Sequence, residues 1–130
     1  FYNDSIASSP SRTIAGLRSF PQKVILIAGG YDKHIPYDAL GPEICRHVKR
    51  LIVTGATGEK IRQAVLAAPE YREYQPEILF IEDFDQAVRQ AAGGAEPGDV
   101  VLLSPASAAF DKFRNFMVRG QHFKDLVRSL

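Results

Sequence analysis

The chain has no tryptophan, one methionine and one cysteine, Cys45, in 130 residues. A single cysteine excludes an internal disulfide and fits a reducing compartment. No apolar run approaches the roughly 20 residues that cross a bilayer, so no membrane insertion is expected, and no secretory signal is visible. Charge favours neither sign, with 16 Lys and Arg against 15 Asp and Glu, so there is no electrostatic case for nucleic acid. His34, His47 and His122 lack metal-ligand spacing, and no metal site is expected. Neither a Gly-x-Gly-x-x-Gly dinucleotide fingerprint nor a Gly-x-Ser-x-Gly nucleophile elbow is present. The segment Gly55-Ala56-Thr57-Gly58-Glu59-Lys60 only superficially resembles a phosphate loop. Lys60 does not follow a glycine, and Ile61 stands where a hydroxyl residue belongs. It reads as strand, turn and a helix capped by Thr57.

What is present is an alternation of strands and helices. Residues 23–28, 50–54, 78–81 and 99–103 are rich in Val, Ile and Leu with little alternation, as strands covered on both faces should be. Helical spacing marks residues 57–68, with Ile61, Ala64, Val65 and Ala68 on one face. Residues 83–92 open on an acidic cap and meet Gly93-Gly94. Residues 38–48 form a weaker helix, delayed by Gly41-Pro42. Ser9-Pro10 starts another helix over residues 10–18. The tail from Phe110 is helical in pattern, with Phe116, Phe123, Val127 and Leu130 on one face and Gly120 as a break or kink. Phe1-Tyr2 would end a further strand. Such alternation predicts right-handed βαβ units and a mainly parallel sheet flanked by helices, a three-layer Rossmann-like α/β domain. Length suits one domain, and a start at Phe1-Tyr2-Asn3-Asp4 suits a piece of a longer protein.

Open α/β sheets place ligands at the carboxyl ends of strands, where the strand order reverses. In a doubly wound order the first of the four runs sits between the second and the fourth. Two loops then face each other: Gly29-Gly30-Tyr31-Asp32-Lys33, and Ser104-Pro105-Ala106-Ser107-Ala108-Ala109-Phe110-Asp111-Lys112-Phe113. Glycines allow close backbone approach, and Lys33 can neutralise a carboxylate or phosphate. Ser104 and Ser107 can offer hydroxyls and N–H groups to an anion, or simply cap the next helix. Phe110, Phe113 and Phe116 pack a core or wall a pocket. Asp4-Ser5 can contact a ribose or an amine, or merely turn the chain. A small anionic ligand suits this set.

Asn3-Asp4-Ser5-Ile6-Ala7-Ser8-Ser9-Pro10, Gly29 to Lys33, Ser104 to Ala108 with Phe110-Asp111-Lys112-Phe113, and Asn115-Phe116 with Arg119-Gly120 together resemble the Mur ligase family. The resemblance covers the whole chain in order and is to the carboxyl-terminal, amino-acid-binding domain of a three-domain enzyme, in its D-glutamate-adding branch. The Asp-Asn-Pro-Arg motif of the diaminopimelate-adding branch is absent. The resemblance implies a bacterial cytoplasmic ligase of peptidoglycan synthesis that uses ATP and Mg²⁺ to phosphorylate UDP-MurNAc-L-alanine. The D-glutamate amine then attacks the acyl phosphate. ATP and metal would be held mainly by a central domain, so residues 1–130 alone should be inactive and hold no catalytic residue. By position, Lys33 matches a lysine that pairs with a D-glutamate carboxylate, and Ser8 falls where threonine often contacts that ligand. Phe110 and Phe116 match pocket-lining residues, and Asp4 an aspartate on the nucleotide side. Ala109 replaces a serine that often contacts the ligand, and Ile6 stands where some relatives carry lysine. Two other readings remain: a non-catalytic Rossmann-like module that binds a small anion or nucleotide, and an oligomerisation domain using the tail helix.

Overall fold

Alternating strands and helices do build one parallel sheet. The computed structural model describes residues 1–73, 75–109 and 112–130. In chain order the elements are β1 (Tyr2–Asn3), α1 (Pro10–Arg18), β2 (Val24–Ala28), α2 (Leu40–His47), β3 (Val48–Val53), α3 (Gly58–Ala67), β4 (Glu77–Phe80), α4 (Phe84–Gly93), β5 (Val101–Leu103) and α5 (Phe116–Arg128). The strand order is β1-β5-β2-β3-β4, and every pairing between neighbours is parallel.

β2 is central, and all five of its residues are buried. Side chains alternate across a strand, so β2 feeds two cores. Val24, Leu26 and Ala28 join Leu17 of α1, Leu40 and Ile44 of α2, and Ile61 and Val65 of α3. Ile25 and Ile27 join Phe84, Ala87, Val88 and Ala91 of α4 and Phe123 and Leu126 of α5. The result is three layers, as the sequence pattern predicts. The chain leaves β2 toward β3, while β5 lies on its other side, so the switch point falls between the loops after β2 and β5.

Boundaries differ from expectation where tertiary contacts override local signals. α2 runs directly into β3: Val48 caps the helix through its N–H to the Ile44 carbonyl and pairs with Val24. The strand therefore starts two residues earlier than the apolar run suggests. Pro42 sits in the first turn of α2, where the N–H groups need no helical partner. Asp83 caps α4 by accepting from the Gln86 N–H at 2.9 Å, as expected. α5 begins only at Phe116, capped by Asn115 accepting from the Val118 N–H at 2.9 Å. Its buried face is Arg119, Gly120, Phe123 and Leu126. Leu130 is exposed, Phe116 is half-buried, and Gly120 neither breaks nor ends the helix.

Gly120 lies against β1. A Cβ there would meet Asn3 Nδ2 at 2.9 Å and Ser5 Cβ at 3.1 Å, and Asn3 Nδ2 donates to the Gly120 carbonyl at 3.4 Å. Gly120→Ala would gain about 1 kcal/mol of helix propensity against about 1–3 kcal/mol of overpacking. The collision should win, with a net loss of about 1 kcal/mol in a urea melt. A more stable variant would mean that β1 yields readily.

Glu43 of α2 is 4% exposed and accepts from Arg18 Nε and from Arg46 Nη1, each at 2.6 Å. The Arg18 hydrogen bond leads the effects that hold its carboxyl below the ordinary range, against the opposing effect of desolvation. A carboxyl with a lowered folded-state pKa stabilises fully above its unfolded-state value, and that contribution disappears as pH falls through the folded-state value. Glu43→Gln should cost stability near neutral pH, and the deficit should shrink toward about pH 3. Urea midpoints at both pH values measure this, and an unchanged deficit would assign the loss to packing instead.

Candidate functional site

Three loops leave the carboxyl ends of β2, β3 and β5 and meet over the switch point. Gly29 makes the first approach possible. It has φ +118°, and a Cβ would lie 1.9 Å from the Thr54 carbonyl oxygen, so no side chain fits. Its N–H donates to the Pro105 carbonyl at 2.9 Å, and the next hydrogen bond in this seam runs from the Tyr31 N–H to the Ala108 carbonyl at 2.8 Å. Tyr31 and Ala108 thus form an antiparallel bridge between the loop carrying Lys33 and the loop carrying Ala109. Gly55, at φ +72°, packs its backbone on Gly30. Among the described residues, the two non-glycine residues with positive φ are His34 and Ala106, one in each of the facing loops. Such conformations persist only where surrounding contacts hold them, and they concentrate at functional sites.

Hydroxyl groups join the three loops from inside. Ser107 is fully buried. Its Oγ lies 2.9 Å from the Tyr37 hydroxyl and 2.8 Å from Thr57 Oγ1. Thr57 occupies the N-cap position of α3 without capping it. Its Oγ1 instead accepts from the Gly30 N–H at 2.9 Å, and its own N–H donates to the Gly30 carbonyl at 3.1 Å. Ser104, also fully buried, donates through Oγ to Asp4 Oδ2 at 2.7 Å. Thr13 of α1 donates to the Ser104 carbonyl at 3.2 Å. Both serines therefore serve the fold's own contacts, and neither caps α5.

Arg119 secures the fourth segment. Its guanidinium is buried and donates from Nε to Ser5 Oγ at 3.0 Å, from Nη2 to the Ser5 carbonyl at 2.7 Å and from Nη1 to the Ser107 carbonyl at 2.9 Å. Ser5 Oγ in turn donates to the Phe116 carbonyl at 2.7 Å. An arginine one turn before Phe123, on the apolar face of a helix, is the signal that would have revealed it. In the sequence Arg119 enters only through the family resemblance, with no role of its own, and Tyr37 is not singled out.

The expected site residues do not all share one concavity. A small cleft of about 20 Å³, room for little more than a water molecule, is lined by Gly30, Thr54, Gly55, Phe84, Ala109 and Phe113 among others. Among the described residues, Ala109 and Phe113 of the expected set line it, while Lys33, Ser8, Phe116 and Asp4 do not. Lys33 is exposed beside Asp32, outside that lining. Ser8 is half-buried beyond the Asp4–Ala7 turn. Phe116 belongs to a neighbouring groove with Ser5, Ile6 and Met117. Asp4 lines a third groove with Tyr2, Arg12 and Phe20. Phe110 lies outside the described residues. The Lys33 loop is tightened by Asp32, whose carboxylate accepts from Lys60 Nζ and from the His34 N–H. Those two hydrogen bonds, the Lys60 one first, hold the Asp32 carboxyl below its ordinary range. Among the described residues no group of three or more His, Cys, Asp or Glu is gathered to hold a metal.

Known proteins match this chain closely. Residues 1–107 match the family described as "Mur ligase, glutamate ligase domain". Along its whole length the chain is 54% identical to the UDP-N-acetylmuramoylalanine--D-glutamate ligase of Acetivibrio thermocellus. It is 50% identical to those of Clostridium beijerinckii and Clostridium botulinum strain Okra. It spans 28% of the length of each of these relatives. The ordered motifs, the three-layer parallel fold and these matches agree, and the chain belongs to the Mur ligase family through its glutamate ligase domain.

Proposed function

We propose that this chain is the carboxyl-terminal domain of a bacterial, cytoplasmic, ATP-dependent ligase that joins D-glutamate to UDP-MurNAc-L-alanine, and that it binds the D-glutamate and closes the active site. The observation that supports this most is the Tyr31–Ala108 bridge, which holds the Lys33 loop against the Ala109 loop at the switch point. A dicarboxylate needs a strong cation, and the first of these loops offers the exposed Lys33.

In this reading the Lys33 ammonium pairs with a D-glutamate carboxylate. Ser8 and the backbone around Ala109 donate to the ligand, and Phe116 and Phe110 wall it. The amine is thereby presented to the acyl phosphate of UDP-MurNAc-L-alanine. Asp4, oriented by Ser104, faces the nucleotide side. The Thr57 hydroxyl, in the segment that superficially resembles a phosphate loop, is committed to Gly30 and Ser107. In this reading phosphate and metal binding belong mainly to the rest of the longer enzyme. Lys33, Ser8 and Phe116 would converge on a ligand held between this domain and the remainder.

Lys33→Ala in the full-length enzyme should raise the KM for D-glutamate on the order of tenfold to a hundredfold, the scale of one charge-assisted contact. The KM for ATP should barely change. A normal D-glutamate dependence would make Lys33 a surface turn residue and end this assignment.

Ala109→Ser adds one oxygen beside the cleft. It should leave the fold intact and tighten D-glutamate by at most about 0.5–1.5 kcal/mol, the range of a neutral hydrogen bond. Steady-state kinetics with ATP as the control measure it. A large loss of D-glutamate affinity would show that Ala109 packs against apolar groups and does not face the ligand.

A further inference from the structure

Lys33 lies on a loop whose two ends are gripped by one buried cluster of three hydroxyls. Residue 30 starts this loop after β2, and residue 37 ends it before α2. At the start, Thr57 holds both the N–H and the carbonyl of Gly30. At the end, the Tyr37 hydroxyl meets Ser107 Oγ at 2.9 Å. Thr57 Oγ1 meets the same Ser107 Oγ at 2.8 Å. Each hydroxyl comes from a different strand-end loop: Tyr37 after β2, Thr57 after β3 and Ser107 after β5. All three residues are at most 4% exposed.

Ser107 carries one hydroxyl proton and stands between two hydroxyl neighbours, so at least one of them must donate to it. Thr57 Oγ1 also accepts the Gly30 N–H, so the chain of hydrogen bonds runs unbroken from Gly30 to Tyr37. Apolar side chains could fill the same volume, but they would not fix the direction of either loop. Buried hydrogen bonds do so, because misalignment leaves a desolvated group unpaired. The loop is also held by the Tyr31–Ala108 bridge, which fixes its backbone next to residue 30, and beyond that by the Asp32–Lys60 pair. Lys60 is 47% exposed there, and exposed pairs constrain weakly.

We infer that Thr57, Ser107 and Tyr37 are positioning residues that set where Lys33 stands relative to the Ala109 loop. This rests on the assignment of Lys33 to a D-glutamate carboxylate. The cluster touches no ligand. It acts by holding the span from Gly30 to Tyr37 against the loop after β5.

The test uses the full-length ligase and four variants: Thr57→Val, Thr57→Ser, Tyr37→Phe and Lys33→Ala. KM for D-glutamate, KM for ATP, kcat at saturating D-glutamate and Tm are measured for each. Thr57→Val and Tyr37→Phe should each raise the D-glutamate KM on the order of fivefold or more, the scale of one net hydrogen bond. Their ATP KM and saturating kcat should stay at the wild-type values. Thr57→Ser keeps the hydroxyl and should restore the wild-type D-glutamate KM. Should Thr57→Val fail to fold, Tyr37→Phe, which removes one oxygen, carries the test alone. If Lys33→Ala raises the D-glutamate KM while both hydroxyl deletions leave it unchanged, the inference is overturned and the Lys33 assignment survives. A fall in Tm with all kinetic constants unchanged, or an equal rise in both KM values, likewise reduces the cluster to a structural role. A Lys33→Ala enzyme with wild-type D-glutamate dependence overturns the assignment, and the inference with it.

Discussion

The buried guanidinium of Arg119 is the contact on which the arrangement of the loops at the switch point depends. It joins α5 to Ser5, 114 positions away in sequence, and to the Ser107 carbonyl. Burying a cation is costly unless its donors are satisfied, and here they meet a hydroxyl and two carbonyls. Five donors in a rigid plane suit arginine and not lysine to that task. The bonds are directional, so they fix the short segment after β1, the loop after β5 and the first turn of α5 as one body. Ser5 extends this body to the Phe116 carbonyl.

From that body the site is assembled by backbone approach more than by side chains. Gly29, Gly30 and Gly55 let three loops touch at main-chain distance, and the Tyr31–Ala108 bridge prolongs the parallel sheet by one antiparallel step. Among the described residues at this edge, Lys33 is exposed and Ser8 and Phe116 are half-buried. On the proposed reading they form one side of a binding site. That agrees with a chain that spans 28% of the length of its relatives and with a ligand taken between two domains.

The fold is legible in the sequence wherever a signal is local. Pro10 at the first helical position sets α1 to the residue, and the unbroken aliphatic run marks β2 as central. The place of β2 between β3 and β5 is the one the doubly wound pattern predicts. Legibility fails where distant partners compete. Thr57 has the local signature of an N-cap, yet its hydroxyl serves Gly30 and Ser107. The tail aromatics look helical from Phe110, but Phe113 packs edge-on against Phe84 at 5.2 Å, and Asn115 begins the helix. The two loops of the site are readable from their glycines and from Ser-Pro. Arg119 and Tyr37 are not, because their meaning depends on groups far away in sequence.

α2 passes into β3 at Val48 with no loop between them, and the register with β2 already shifts there, Val24 facing Val48 while Ile25 faces Arg50. An inserted residue would turn α2 by about 100° about its axis or slip β3 by one place and exchange its two faces. Either error would reach β2 through the Val24–Val48 pairing. The connection from α4 to β5 is freer in part: Cβ atoms at Gly93 and Gly98 would meet open space, although one at Gly94 would strike Arg50. Differences in chain length within this family should therefore accumulate between α4 and β5, while the α2–β3 junction keeps its length.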